Sequence, residues 1–298
     1  SAHSGSWTQV VKSLAKSTPV SFETTGENAG LLRFGEKSGL VMERLPRIGL
    51  YSPWSGNMDE GWMRWVLDTW EIPYVTVRNE QLRAGNLSDF IDVLLIPDVG
   101  SRHLDEGRAE GSVPAEFARG LAPEGAVAVE EFVRSGGTLV TLGDSSQWAI
   151  DLLRLPLVDV TREKINAEFS CPGSVLRAIP ASNEALTAGL PESMAVFFSG
   201  SRAWREFTDE EFKKSKAEKG RLKTLLYYAP TRVLLSGWIA KPEIIAGRSA
   251  WVEASYGKGR VHLFGFRPQY RAWSQGTFQL VFRAMLMDGN QQLSKFSK

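Results

Sequence analysis

Cysteine, net charge and long apolar runs are all scarce in this sequence. The single cysteine, Cys171, excludes a disulfide within the chain. A formal net charge of +1 leaves no electrostatic footprint for nucleic acid. No run approaches the roughly 18 apolar residues that a membrane-spanning helix needs. What remains is a chain of 298 residues, long enough to bury a core without a metal or disulfide.

The patterning divides the chain into three parts. We expect residues 1–45, which are weakly patterned and lack the apolar core of a signal peptide, to be an N-terminal arm or the tail of an upstream domain. Residues 46–288 are expected to form one α/β domain, and residues 289–298 a polar tail. The basic run 213–223 alternates with other residues and is interpreted as a solvated loop or helix.

From Arg47 onward, short apolar runs alternate with helical patterns. The predicted strands are Ile48–Tyr51, Tyr74–Val77, Val93–Ile96 and Thr138–Leu142. The predicted helices between and after them begin near Asp59, Asn79, Glu124 and Ser145. This alternation through short loops predicts a flavodoxin-like, doubly wound, mostly parallel sheet. The second half adds further strands, including a hairpin around Tyr256–Gly259, so β-rich additions are expected.

The first helix supports two local predictions. Asp59 is expected to cap its N-terminus, because a carboxylate at that position accepts from free backbone amides. Its buried face is expected to carry Trp62, Trp65 and Val66, with Trp70 as a further candidate, since these residues lie near helical spacing.

Four loops follow the predicted strands, where open α/β sheets place their sites. They are Ser52–Asp59, Asp98–His103, Gly143–Gln147 and Phe266–Arg271. The turn at Gly143 could expose Ser145 as a nucleophile, although Gln147 stands where the usual elbow has a second glycine. The alternative is that Asp144 or Ser145 caps the following helix.

Three other sets of residues suggest chemistry and also have plain structural interpretations. His103 and Glu106 have the spacing of a zinc-ligand pair, with His262 a third ligand; alternatively they lie in a polar surface loop and His262 packs in a strand. Asp59 and Asp98 are either paired carboxylates or turn and cap residues. Cys171 has no base supplied by a motif and is expected to be a small buried residue.

The layout of strands and turns resembles the class I glutamine amidotransferase fold. In that family a G-x-C-x-G elbow holds the nucleophile, and a late strand ends in Phe-His-Pro-Glu or something close. Gly143–Gln147 occupies the elbow here and Phe266-Arg267-Pro268-Gln269 the late strand end. The resemblance therefore puts Ser145, Arg267 and Gln269 at the triad positions. An arginine cannot act as a neutral base near pH 7, and a glutamine has no charge to orient one.

A second resemblance extends from Arg47 to Leu286. The matching strings are RIGLY at 47–51, MDEGW at 58–62, RAGNL at 83–87, CPGS at 171–174, LSGW at 235–238, GRV at 259–261 and GFRPQ at 265–269. Together they resemble the C-terminal region of large bacterial secreted proteins of the zinc carboxypeptidase type, in which a peptidase domain precedes an amidotransferase-like domain. The resemblance implies an extracytoplasmic location and zinc in the peptidase domain only, with no cofactor in this chain.

Three functions are consistent with these observations. The first is a non-catalytic amidotransferase-like accessory domain that binds substrate peptide, packs on the upstream peptidase domain or forms a homo-oligomer, with neither nucleic acid nor membrane as partner. The second is a hydrolase or amidase with Ser145 as nucleophile. The third is a module that binds an anion or a peptide carboxylate; its candidate residues are Trp54, Asp59, Arg267, Tyr270 and Arg271. The alternative for Arg267 and Arg271 is structural pairing with an Asp or Glu of the chain.

Overall fold

The computed structural model describes residues 4–37, 39–163, 169–215, 217 and 222–288. The predicted tail 289–298 and part of the basic run 213–223 lie outside these residues. The helices are α1 (Ser4–Ala15), α2 (Met58–Thr69), α3 (Asn79–Ala84), α4 (Ser101–Glu106), α5 (Glu124–Ser135), α6 (Asp144–Leu153), α7 (Val160–Glu163), α8 (Asp209–Lys214) and α9 (Gln275–Phe282), which continues as a π-helical turn over Arg283–Asp288.

The strands fall into a small sheet near the N-terminus and a large mixed sheet. The small sheet holds β1 (Val20–Phe22), β2 (Leu32–Phe34) and β3 (Leu40–Met42). The large sheet holds β4 (Ile48–Tyr51), β5 (Val75–Val77), β6 (Val93–Ile96), β7 (Thr138–Leu142), β8 (Leu157–Asp159), β9 (Ser174–Pro180), β10 (Met194–Phe198), β11 (Trp204–Glu206), β12 (Leu222–Tyr228), β13 (Leu234–Ser236), β14 (Ser249–Tyr256) and β15 (Gly259–Phe264).

The centre of the large sheet is parallel. Along the path β10-β9-β12-β14-β15-β7-β6-β4-β5, the pairings from β15 to β5 are all parallel. Counted along the chain, these five strands lie in the order 2-1-3-4-5, which is the flavodoxin-like arrangement. The predicted α/β class with a mostly parallel central sheet is confirmed. The strands β9 to β14 extend it antiparallel, and β14 and β15 form the predicted hairpin.

Helices cover both faces of the parallel strands, so the sheet is doubly wound. Alternate residues of one strand enter two different cores: Val93 and Leu95 of β6 face α2 and α9, whereas Leu94 and Ile96 face α3, α5 and α6. This is why these strands are continuous apolar runs, since a strand buried on both faces has no side that favours polar residues.

The N-terminal segment packs on the same core as α2 and α9. Trp7 of α1 is buried and meets Phe282 edge-on at 5.7 Å between ring centroids. Phe22 and Met42 of the small sheet belong to this core as well. Residues 4–37 and 39–42 therefore pack on the α/β domain through helix α1 and a three-stranded sheet, and the sheet was not predicted.

Two local predictions were wrong, and a third was wrong in part. The cap of α2 is Asn57, whose side chain accepts from the Glu60 amide, whereas Asp59 is buried. On the predicted buried face of α2, Val66 and Trp70 are buried as expected, but Trp65 is exposed and Met63 and Leu67 fill the core instead. Neither Asp144 nor Ser145 caps α6, whose cap residue is Gly143.

The described helices include none with the length and apolar character needed to cross a membrane.

Candidate functional site

Four loops meet at the carboxyl ends of the parallel strands. Since β4, β6, β7 and β15 are neighbours with the same direction, the loops that follow them lie at one edge of the sheet. The Asn57 side chain donates to the Asp98 carbonyl at 2.9 Å, which joins the loops after β4 and β6. The Gly143 amide donates to the Phe264 carbonyl at 2.8 Å, which joins β7 to the end of β15.

Arg267 lies at the centre of this edge and is held from three sides. Its Nη1 donates to Asp59 Oδ2 at 3.2 Å, and its Nη2 donates to the Ser199 carbonyl at 2.6 Å. Its Nε lies 3.5 Å from Asp98 Oδ2. The Arg267 side chain is only 14% exposed, so both carboxylates contact it largely away from water.

A second arginine, Arg202, extends the charged cluster along the edge. Its Nε donates to Asp144 Oδ1 at 2.9 Å, and its Nη1 donates to Asp159 Oδ2 at 3.1 Å. Asp144 also donates its backbone amide to Asp98 at 2.8 Å, so the two arginine groups are connected. We call the set Asp59, Asp98, Asp144, Asp159, Arg202 and Arg267 the Asp–Arg network.

Burial and like charge together favour the neutral form of one carboxyl group in the Asp–Arg network. Burial raises the pKa of Asp98 to about 6, and the neighbouring Asp144 and Asp59 charges act in the same direction, against the Asp144 amide and Arg267. Burial likewise raises the pKa of Asp59, although Arg267 opposes it. The Asp–Arg network therefore contains ion pairs, but its four carboxyl groups outnumber its two guanidinium groups.

Gly143 allows the turn after β7 to approach Asp98. Its φ is +60°, which side chains rarely adopt, and a Cβ there would lie 2.6 Å from the Asp98 carboxyl group. The glycine thus makes room for the hydrogen bond between the Asp144 amide and Asp98.

We expect Gly143→Ala to lower the free energy of unfolding by about 2 kcal/mol or more, since it adds both backbone strain and a clash. Denaturant titration measures this. The matched control is Gly61→Ala in α2, where a Cβ meets nothing within 4 Å; there a gain of about 0.5–1 kcal/mol is expected. Equal effects at the two positions would contradict the role given to Gly143.

The structure brings Ser145 and Arg267 to neighbouring loops, but their side chains have different partners. The Ser145 hydroxyl is fully buried; it accepts from the Val99 amide at 3.0 Å and donates to the Pro97 carbonyl. Gln269 is also buried and donates to the Asp59 carbonyl at 3.4 Å. The hydroxyl of Ser145 therefore ties α6 to the loop after β6.

Four of the five predicted ligand-binding residues lie together. The Arg267 and Arg271 guanidinium groups lie 4.5 and 5.3 Å from the centre of the Tyr270 ring, and Arg267 contacts Asp59. Trp54 is separate, since it lies under Arg78 and donates to Glu80.

Phe197 and Trp273 extend the aromatic group, and the sequence analysis did not single them out. Phe197 stacks on Tyr270 at 4.7 Å, and Trp273 meets Phe197 edge-on at 5.7 Å.

The proposed zinc ligands are not brought together. Glu106 pairs with Arg102, and His262 is buried in β15 near Trp251. Among the described residues no three potential ligand side chains form a group that could hold a metal ion. His103 Nε2 instead lies 2.6 Å from Ser55 Oγ, a contact between the loops after β4 and β6 that its sequence neighbours did not signal.

Comparison with known proteins gives distant structural likenesses only. No family model matches the sequence, and no curated protein does. A β-galactosidase from Bacillus circulans sp. alkalophilus is 12% identical, with a TM-score of 0.46 over 84% of this chain and 31% of its own. A ThuA-like protein from Bacteroides uniformis is 9% identical, with a TM-score of 0.43 over 80% and 90%.

A cytoplasmic protein from Salmonella typhimurium LT2 is 12% identical, with a TM-score of 0.49 over 80% of this chain and 98% of its own. This chain thus spans less than a third of the β-galactosidase but most of the other two proteins. Likenesses this distant assign neither a family nor an activity to the chain.

Proposed function

We propose that this chain is a non-catalytic, amidotransferase-like accessory domain. The observation that carries the proposal is the state of the Ser145 hydroxyl, which is fully buried and hydrogen-bonded to backbone groups of residues 97 and 99. A nucleophile must reach a substrate and must contact a base. Ser145 meets neither requirement, because its two partners are an amide and a carbonyl of the protein itself.

The other two triad positions support the same proposal. Arg267 offers a guanidinium group, which is no neutral base, and this group is held by Asp59 and Asp98. Gln269 contacts the backbone of Asp59 rather than a base. In place of a nucleophile, a base and an orienting acid, the strand ends carry a buried Asp–Arg network.

The pairing of Arg267 also counts against anion binding at this edge. An arginine that recognises an external carboxylate needs free donors, yet the Arg267 donors already face Asp59, Asp98 and the Ser199 carbonyl. Arg271 is exposed and shares the Tyr270 ring with Arg267. The accessory role therefore fits this edge better than a ligand site built on Arg267.

We further propose that the chain is the C-terminal region of a secreted zinc carboxypeptidase-like protein. The strings from Arg47 to Leu286 support this, and the flavodoxin-like strand order agrees with an amidotransferase-like domain. Its partners would then be the peptidase domain or a second copy, outside the cytoplasm. The reading frame of the gene tests the proposal: a peptidase domain with zinc ligands upstream supports it, and an unrelated upstream domain refutes it.

The non-catalytic proposal predicts that the purified chain does not hydrolyse glutamine, simple amides or activated esters above the blank rate. It also predicts that Ser145→Ala lowers the free energy of unfolding by about 1–3 kcal/mol, because the buried Val99 amide loses its acceptor. Turnover assays and denaturant titration measure the two effects. The control is the partly exposed Ser135→Ala, expected to change stability by less than about 0.5 kcal/mol. Turnover that Ser145→Ala abolishes, with the fold intact, would refute the proposal.

A second candidate function is hydrolysis through a different serine. Ser55 Oγ and His103 Nε2 are 2.6 Å apart at the switch point between β4 and β6, where open α/β sheets bind ligands. A histidine within this distance can act as general base toward a serine hydroxyl. Turnover that survives Ser145→Ala but is lost in both Ser55→Ala and His103→Gln would favour this candidate.

A further inference from the structure

The antiparallel extension of the sheet carries a cleft far along the chain from the elbow. The cleft has a volume of about 780 Å³ and lies where the chain leaves β12 and enters β13. This volume is within the range of roughly 300–1,000 Å³ that is usual for ligand sites. Its walls are largely apolar and include Val233, Leu234, Ile239 and Pro242.

Two arginines line this cleft, and neither has an acidic partner among the described residues. Arg177 follows the alternation of β9, in which Leu176 and Ala178 enter the core, so its side chain lies on the opposite face of the sheet. Its Nε is buried and has no hydrogen-bond partner among the described residues. Arg232 lies on the exposed loop that forms another wall. A buried, unpaired guanidinium donor is costly, which indicates that an external acceptor belongs there.

The acidic side chain of the lining does not neutralise these arginines. Glu243 is exposed and lies 3.7 Å from Lys241, which provides its counter-charge. No ion pair joins Arg177 or Arg232 to a carboxylate within the part of the chain that the structure describes. The cleft therefore presents positive charge next to apolar walls, which suits a ligand that has an anionic group attached to an apolar part.

The β13 strand indicates which kind of ligand would carry this anionic group. Within the described residues its strand partner is β9, on one edge only, and its leucines are exposed: Leu234 by 37% and Leu235 by 43%. A free strand edge with exposed apolar side chains is a surface to which an extended peptide can add its main chain.

We infer that this cleft binds the C-terminal end of an extended, apolar peptide. Arg177 and Arg232 hold its terminal carboxylate, and the apolar wall and the free edge of β13 hold the residues before it. The site is separate from the Asp–Arg network and does not depend on the catalytic or non-catalytic state of Ser145.

The test is calorimetric titration of the 298-residue chain with the acetylated tripeptide alanyl-valyl-leucine, as the free acid and as the C-terminal amide. We expect the free acid to bind about tenfold or more tightly than the amide, because a charge-assisted hydrogen bond to arginine is lost in the amide. Arg177→Gln and Arg232→Gln should each lower the affinity for the free acid by a similar factor. Arg248→Gln, which changes an exposed arginine near the cleft but outside its lining, should leave the affinity unchanged.

Several results would overturn the inference. They are equal affinity for acid and amide, no binding at millimolar peptide, and loss of affinity in Arg248→Gln as large as in Arg177→Gln. Acetate that binds as tightly as the tripeptide would refute the peptide part. Arg232 is exposed, so Arg232→Gln should fold normally. It therefore tests the inference even if Arg177→Gln does not fold.

Discussion

Replacing Arg267 by methionine is expected to lower the free energy of unfolding by about 3–5 kcal/mol at pH 8. Methionine keeps the length and apolar stem of the side chain but removes its charge. Asp59 and Asp98 would then remain buried beside one another without the guanidinium that contacts both. The Ser199 carbonyl would also lose its donor. Chemical denaturation of the two proteins under identical conditions measures the difference.

The control for Arg267→Met is an arginine whose ion pair is solvated. Arg102 is 86% exposed and pairs with Glu106 one helical turn away, so Arg102→Met should change stability by less than about 1 kcal/mol. The loss in Arg267→Met should shrink at pH 4, where Asp98 is protonated and needs no counter-charge. Adding Asp98→Asn to Arg267→Met should restore part of the stability. A loss no larger than in Arg102→Met would show that Arg267 is not needed to offset the carboxylates.

The Asp98→Asn variant is expected to be more stable than the unsubstituted protein at pH 8, by an amount on the order of 3 kcal/mol, and nearly equal to it at pH 4. Burial raises the folded-state pKa of Asp98 to about 6 from 3.8, so the folded protein holds this proton more tightly than the unfolded chain does. Its contribution to stability is therefore complete below about pH 4 and is lost as the pH rises through about 6. Each pKa unit corresponds to about 1.4 kcal/mol.

Asp92→Asn provides a control of opposite sign. Burial alone would raise the pKa of Asp92, but hydrogen bonds from Arg47 and Arg44 outweigh it and the pKa is lowered. Asp92 therefore stabilises the fold above its usual pKa, and its contribution is lost as the pH falls. Asp92→Asn should be destabilising at pH 8, with a smaller effect at pH 4. If Asp98→Asn instead behaved as Asp92→Asn should, destabilising at pH 8 and less so at pH 4, the Asp98 carboxylate would be stabilised in the folded protein, contrary to the prediction.

Local hydrophobic patterning was sufficient to predict the strands of the parallel sheet. Val93–Ile96 is apolar at every position, and Thr138–Leu142 is apolar except for two buried threonines, which is typical of strands buried on both faces. The helix α2 shows the limit of the same reasoning. Tryptophans at helical spacing predicted its buried face, yet Met63 and Leu67 occupy the core and Trp65 lies outside. A large aromatic side chain can be partly exposed, so spacing alone does not establish the direction of a helix.

The position of the candidate site was also predictable, because strand ends in a parallel sheet meet at one edge. The partners of its residues were not predictable. Asp59 was predicted as a cap and is an ion-pair partner of Arg267, 208 positions away. Arg202 and Asp159 were not singled out, since each is an ordinary charged residue until the fold brings them to 3.1 Å. Arg177 became a candidate only because β9 places it in a cleft, where its Nε has no hydrogen-bond partner among the described residues.

By itself, the sequence determined the class of fold, the strands of the parallel sheet and the edge at which their loops meet. It did so because hydrophobic periodicity and turn chemistry act over a few neighbouring residues. Only the tertiary structure decided that Ser145 is buried between backbone groups, that Arg267 is held by two aspartates and that Arg177 pairs with no carboxylate of the described residues. Those outcomes depend on burial and on distances between residues remote in the chain, which no local pattern of side chains specifies.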